Sequence, residues 1–91
     1  MRTLQIYISD DCWSCAESLR IAAETRVRFE HVTVELLDMT SKKRPEAVFA
    51  APTYVLDGRV ISLGNPPRER LWRQLSEALQ DGKSNESGGP I

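Results

Sequence analysis

Within its first forty residues the chain changes hydrophobic period twice, and this limits what it can fold into more than any other feature. Over residues 3–9, Leu4, Ile6 and Ile8 alternate with Thr3, Gln5 and Tyr7, the period of a β-strand. From Cys15 the period becomes helical. Cys15, Leu19, Ala22 and Ala23 recur at helical spacing, and the Ala, Glu, Leu and Arg content favours a helix over residues 13–26. Over residues 29–37 alternation returns, with Val32, Val34 and Leu36 on one side and His31, Thr33 and Glu35 on the other. Strand, helix, strand with a single crossover implies a parallel pair joined in the right-handed sense.

The second half predicts a different ending. Residues 38–44 are polar and read as a loop, and Pro45 suits the first turn of a short helix through Phe49. Two short β-rich runs, 53–56 and 59–63, flank Asp57-Gly58, the strongest short-range hairpin signal. Asn65 suits a helix N-cap with Pro66 at the first helical position. Leu71, Trp72, Leu75, Ala78 and Leu79 then mark one face of a helix that Gly82 can end. The expected order is β-α-β-α-β-β-α: an α/β fold with a four-stranded mixed sheet and helices on both faces. Residues 1–82 form the expected domain, and the Ser- and Gly-rich stretch 83–91 reads as a disordered tail.

Composition narrows the function classes. Ninety-one residues make one small domain. A net charge of −1, from 12 basic and 13 acidic residues, argues against a nucleic-acid footprint. No apolar run approaches the ~20 residues that span a bilayer. The first ten residues lack the apolar core of an export signal, so a cytoplasmic setting is expected. Thiols are kept reduced there, and a cysteine pair is more often catalytic or metal-binding than structural.

The chain's two cysteines, Cys12 and Cys15, fall where the first strand gives way to the first helix. Unpaired N–H groups and the dipole of a helix start stabilise a thiolate, bringing its pKa below ~8.5. Cys15 follows nearly one turn later on the same side, so the two sulfurs can close a disulfide. In a redox pair Cys12 would attack a substrate disulfide and Cys15 would resolve the mixed disulfide. Asp10 and Asp11 oppose a neighbouring negative charge, so only a modest lowering of the Cys12 pKa is expected. Two alternatives stay open. The pair is two buried small residues, or it is half of a zinc site completed by a second chain, since His31 is the one histidine available.

The anchors "CWSC" at the strand–helix junction, "APTYVLDG", and "ISLGNP" before the last helix are more specific together than singly. Together they resemble the thioredoxin-fold thiol–disulfide oxidoreductases, and the short length looks most like the glutaredoxin-like branch. The resemblance spans residues 2–81. It implies a thioredoxin-like fold with Cys12 and Cys15 as the catalytic pair. It also implies a cis peptide before Pro52, which would pack against the pair and help keep metal from it. Ala51 would offer backbone N–H and C=O to an extended substrate. Trp13, Ser14, Thr53, Gly64 and Asn65 complete the implied substrate-binding set with Ala51 and Pro52. No bound cofactor or metal is implied, only an external reductant, glutathione or a thioredoxin reductase. The implied partners are disulfide-containing proteins or small thiols, with no nucleic acid and no membrane, and a monomer is expected.

Departures from the resemblance are specific. Trp13-Ser14 stands where glutaredoxins commonly carry Pro-Tyr and thioredoxins Gly-Pro. The strand over residues 4–8 lacks the buried acid of thioredoxins, and Gly64-Asn65-Pro66 replaces the Gly-Gly and acid that help glutaredoxins hold glutathione. Asp10 and Asp11 occupy the place of a frequent basic residue. A second reading is a non-catalytic redox sensor that docks a partner through Trp13 and Ala51. Among other residues, Trp13 is expected to be exposed, Trp72 to be core, and His31 to lie on a surface strand. Lys42-Lys43-Arg44 reads as a solvated loop. Arg68, Arg70 and Arg73 are expected on the wet side of the last helix, near Glu69 and Glu77.

Overall fold

A computed structural model of the chain describes residues 2–10 and 13–86. Six elements follow one another: β1 (Arg2–Ile8), α1 (Cys15–Arg28), β2 (Val32–Asp38), β3 (Thr53–Leu56), β4 (Arg59–Leu63) and α2 (Arg68–Glu86). The sheet order is β2-β1-β3-β4. β1 pairs parallel with β2, from Arg2 opposite Val32 to Ile8 opposite Asp38. It pairs antiparallel with β3, from Tyr7 opposite Thr53 to Leu4 opposite Leu56. β3 and β4 form the expected hairpin. Its turn residues Asp57 and Gly58 have φ of 51° and 84°, the left-handed conformation that a tight hairpin requires. Asp57 also ties the hairpin to β1, accepting from the Thr3 N–H at 2.9 Å and from Arg2 Nη1 at 3.0 Å.

Strand alternation divides the core in two. Leu4, Ile6, Val32, Val34, Tyr54 and Leu56 face Ile21 and Ala22 of α1 and Leu71 and Leu75 of α2. Tyr7 and Val55 point the other way, where Val48 closes over them with Leu37, Met39 and Val60 at the margin. Both helices therefore share one face, and the irregular segment 39–52 covers the other. This corrects the expectation of helices on both faces. Residues 45–49 make a turn, with the Val48 N–H donating to the Pro45 carbonyl at 3.0 Å, and no helix. Five residues return too few hydrogen bonds to offset helix nucleation. The Arg44 side chain takes the nearby carbonyls instead, those of Met39 at 2.7 Å and Val48 at 2.5 Å.

Boundaries moved for identifiable reasons. α1 begins at Cys15 rather than at residue 13, so Trp13 and Ser14 belong to the preceding turn. β2 begins at Val32, which leaves His31 exposed and outside the strand. It ends at Asp38, whose Oδ1 accepts from both the N–H and the hydroxyl of Thr40 at 2.8 Å. Those two bonds hold the Asp38 carboxyl below its ordinary range. α2 begins at Arg68, with the Pro67 carbonyl accepting from the Leu71 N–H at 3.0 Å. It continues through Gly82 to Glu86, because one interior glycine costs a helix only about 1 kcal/mol. Residues 87–91 of the expected tail lie outside the described residues. Trp72 is half-buried at the core's edge, its ring centroid 5.6 Å from that of Phe29 and 5.4 Å from the Arg28 guanidinium carbon.

Ile6 is fully buried on the central strand, so Ile6→Ala should destabilise the fold by about 2–5 kcal/mol. Val27→Ala, at a side chain 87% exposed, should stay within about 0.5 kcal/mol. Guanidinium unfolding midpoints of the two variants check the assignment of inside and outside on this face.

Candidate functional site

The pairing of Tyr7 with Thr53 sets the carboxyl end of β1 beside the start of β3. Leu63, the last residue of β4, pairs with the same Thr53. Three connections therefore begin or end at one end of the sheet: the chain leaves β1 there after Ile8, enters β3 through residues 49–52 and leaves β4 through residues 64–67.

The first segment carries the cysteines. Cys15 is the first residue of α1, is 5% exposed and is disulfide-bonded. Cys12 and Asp11 lie outside the described residues, and Asp10 is exposed. Ser14 is the N-cap but makes no capping bond with its side chain; its carbonyl accepts from the Glu17 N–H at 3.2 Å. The positive end of the α1 dipole faces this turn. Trp13, beside it, is 93% exposed, as the sequence led us to expect.

The second segment contains a cis peptide between Ala51 and Pro52. Pro52 and Thr53 are buried and Ala51 is half-buried. Thr53 Oγ1 donates to the Ala50 carbonyl at 2.5 Å, bracing the bend from inside. The Gly64 N–H donates to the Pro52 carbonyl at 2.7 Å, which joins the second segment to the third. Gly64 makes that bond at φ 92°, a conformation suited to glycine. Phe49, 71% exposed, and Leu63, 61% exposed, stand with Trp13 as one uncovered apolar side chain on or beside each segment. Phe49 was missed from the sequence because residues 45–49 read as a helix.

Asn65 differs most from expectation. It does not cap α2, which begins three residues later at Arg68; it is half-buried, and its amide bonds within the chain. Its Oδ1 accepts from Ser18 Oγ at 2.6 Å and from the Tyr54 hydroxyl at 2.8 Å, while its Nδ2 donates to the Ser14 carbonyl at 2.8 Å. Ser18 and Tyr54 are fully buried. Burial pushes the Tyr54 phenol above its ordinary pKa, so it remains a hydrogen-bond donor across the neutral range. Ser18 follows Cys15 by three residues, on the same face of α1. Neither Ser18 nor Tyr54 stood out in the sequence, since a lone hydroxyl in an apolar pattern has no local signature.

Arg68 joins the two helices. Its Nη1 meets Glu17, while its Nε and Nη2 bind both oxygens of Glu24 at 2.9 and 2.8 Å. Arg20 adds a 2.8 Å bond to Glu17. Arg68 thus leaves the wet face expected for it, and Arg70 donates to Ser62 Oγ at 3.1 Å. Hydrogen bonds from the guanidinium, joined at Glu17 by one from Arg20, hold both carboxyls below the ordinary glutamate range, and the bonds to Glu24 and Glu17 raise Arg68 in turn. Among the described residues, no three of His, Cys, Asp and Glu are grouped to hold a metal ion, and no helix is long and apolar enough to cross a membrane.

No known family model matches this chain, and no curated protein does. Among solved structures it is similar to thioredoxin O2 from Arabidopsis thaliana in the oxidized state, with a TM-score of 0.64 and 16% identity. The match covers 85% of this chain and 74% of that one. Identity this low speaks to architecture alone: the chain has a thioredoxin-like fold of the α/β class, built on a four-stranded mixed sheet.

Because the Glu17 and Glu24 carboxyls are lowered, they stabilise the fold above the ordinary glutamate value of 4.5 and lose that contribution as pH falls through their folded values. Arg68→Gln should lower the denaturant midpoint near neutral pH and flatten its decline below pH 4.5. A decline as steep as that of the unsubstituted protein would remove this linkage between the helices.

Proposed function

We propose that the protein is a small thiol–disulfide oxidoreductase in which Cys12 is the nucleophile and Cys15 the resolving thiol. The observation that carries this reading is Cys15 itself. It is buried and disulfide-bonded at the start of a helix, in a thioredoxin-like fold, and the chain has one other cysteine, three positions earlier. The Cys12 thiolate attacks one sulfur of a substrate disulfide, forming a mixed disulfide and releasing the first substrate thiolate. The Cys15 thiolate then attacks the Cys12 sulfur, forming the Cys12–Cys15 disulfide and releasing the second. Two electrons pass to the substrate, and the released thiolates take up the two protons that the dithiol gave up. An external reductant supplying two thiols runs both exchanges in reverse: the first opens the Cys12–Cys15 disulfide to a mixed disulfide on Cys12, and the second releases Cys12 and leaves the reductant as its own disulfide.

The surroundings favour a protein as substrate. Trp13, Phe49 and Leu63 offer exposed apolar area to residues flanking a substrate cysteine. Ala51 would pair its backbone with an extended segment, while Ser14, Pro52, Thr53 and Gly64 keep that edge in shape. The same surroundings favour a reductase over glutathione as electron donor. Glutathione brings two carboxylates, and the polar groups at the start of α2 are engaged within the chain: Asn65 with Ser14, Ser18 and Tyr54, and Arg68 with Glu17 and Glu24. A reducing, cytoplasmic setting suits this cycle.

Reduction of a protein disulfide should run to many turnovers with thioredoxin reductase and NADPH, and more slowly with glutathione. Cys12→Ser should abolish it, and Cys15→Ser should accumulate the mixed disulfide, visible by mass spectrometry. A disulfide that forms and breaks reversibly without turnover from either donor would replace the enzyme by a redox sensor. Trp13→Ala should raise KM for a protein substrate several-fold and leave reduction of a small aromatic disulfide unchanged, as steady-state kinetics on both substrates will report.

A further inference from the structure

We propose that Asn65 is a positioning residue that holds the cysteine-bearing turn in the geometry in which its disulfide closes. The proposal deepens the thiol–disulfide reading and rests on it for its catalytic arm. Asn65 is remote in sequence from the cysteines, and its amide is committed at both ends. Two hydroxyl donors, Ser18 Oγ at 2.6 Å and Tyr54 OH at 2.8 Å, converge on Oδ1 and fix which end of the amide is oxygen. The nitrogen is thereby aimed at the Ser14 carbonyl, 2.8 Å away, on the residue immediately before Cys15. The acceptor side is anchored in the core, because Ser18 and Tyr54 are fully buried on α1 and on β3.

The bond to Ser14 adds a long-range hold to the local one, in which the Glu17 N–H donates to the same carbonyl. Ser14 is the N-cap residue of α1, and the Asn65 amide holds its carbonyl from outside the turn. Asn65 is also covalently joined to Gly64, whose N–H binds the Pro52 carbonyl. The Gly64-Asn65 pair thus links the Pro52 segment, through the Gly64 N–H, to the residue before Cys15, through the Asn65 amide. A turn held in this way keeps two thiols at high effective concentration; a released turn lowers that concentration and with it the stability of the disulfide relative to the dithiol.

Asn65→Asp keeps two oxygens for Ser18 and Tyr54 but has no N–H for Ser14, and Asn65→Ala removes the same bond without adding a charge. The dithiol–disulfide equilibrium with glutathione is the first readout: protein dithiol plus oxidised glutathione gives protein disulfide plus two reduced glutathione molecules. Both variants should shift it toward the dithiol, by about tenfold for the loss of one well-placed bond. Tyr54→Phe, which frees the amide but leaves the Ser14 bond possible, should shift it less. Turnover of a protein disulfide is the second readout, with kcat falling by a similar factor and KM unchanged. Circular dichroism and thermal melts identify any variant that fails to fold. Tyr54→Phe then carries the test, and a shift toward the dithiol still supports the proposal.

Folded variants with an unchanged equilibrium constant and unchanged kcat would overturn the positioning role while leaving the oxidoreductase intact. A shifted equilibrium in a protein that never turns over would keep the positioning role and overturn the enzyme. Variants that lose thermal stability in step with one another, with an equilibrium constant that does not move, would reduce Asn65 to a structural bond and also overturn the proposal.

Discussion

Everything at the candidate site depends on β1 being paired on both edges with opposite polarity. Its parallel partner, β2, can be reached only by a long crossover, and α1 supplies it. Its antiparallel partner, β3, must start where β1 ends, because Tyr7 lies opposite Thr53. The turn that leaves β1 for α1 and the bend that enters β3 are therefore forced to one end of the sheet. Cys15 begins α1 at that end and the Ala51–Pro52 bend enters β3 there, though the two lie 36 positions apart in the sequence. A one-residue slip of β3 against β1 would exchange Tyr54 for Val55 on the helix face and remove the hydroxyl that Asn65 requires. Register and site are thus a single constraint.

The sheet was legible because its signals are local and strong. Alternation at Leu4, Ile6 and Ile8, helical spacing from Cys15, and Asp57-Gly58 between two β-rich runs each report a period or a turn that a few residues determine. The thioredoxin-like fold followed from their order and from the motifs at the cysteines and Pro52. What covers the second face was not legible. Pro45 can open a helix or a turn, and the choice went to Arg44, whose guanidinium captures carbonyls at positions 39 and 48. The start of α2 was misread for a related reason. Asn65 has the right chemistry for an N-cap, but its amide finds stronger company in two buried hydroxyls and a carbonyl contributed from residues 11 to 51 positions away. Capping signals are short-range, and this side chain answers to partners brought by the fold.

The α1–α2 interface makes the same point with charge. Arg68 reads as a solvent-facing residue on its own helix, where Glu69 and Glu77 are the acids nearest in sequence. It turns instead to Glu17 and Glu24, about two turns apart on α1, and binds both oxygens of Glu24 through its Nε and Nη2. These groups are roughly a third to a half exposed, so the pairing adds little by Coulomb attraction alone. Its value is directional: a planar fork held by two carboxylates sets the angle at which α2 leaves the linker 64–67.

Two polar contacts three residues apart therefore govern the start of α2. Asn65 reaches the N-terminal turn of α1 and Arg68 reaches the side of the same helix. Their effects on the cysteine turn are electrostatically opposite to those of the nearby acids. Glu17, in the first turn of α1, would by itself oppose a thiolate at the helix start, but Arg68 and Arg20 meet its charge. Asp10 is exposed and screened by solvent. With Glu17 met in this way, one opposition to the helix dipole, which favours an anion at the start of α1, is reduced. The acid built into the first turn of α1 is thus answered partly from α2, so the tie between the two helices also bears on the charge beside Cys15.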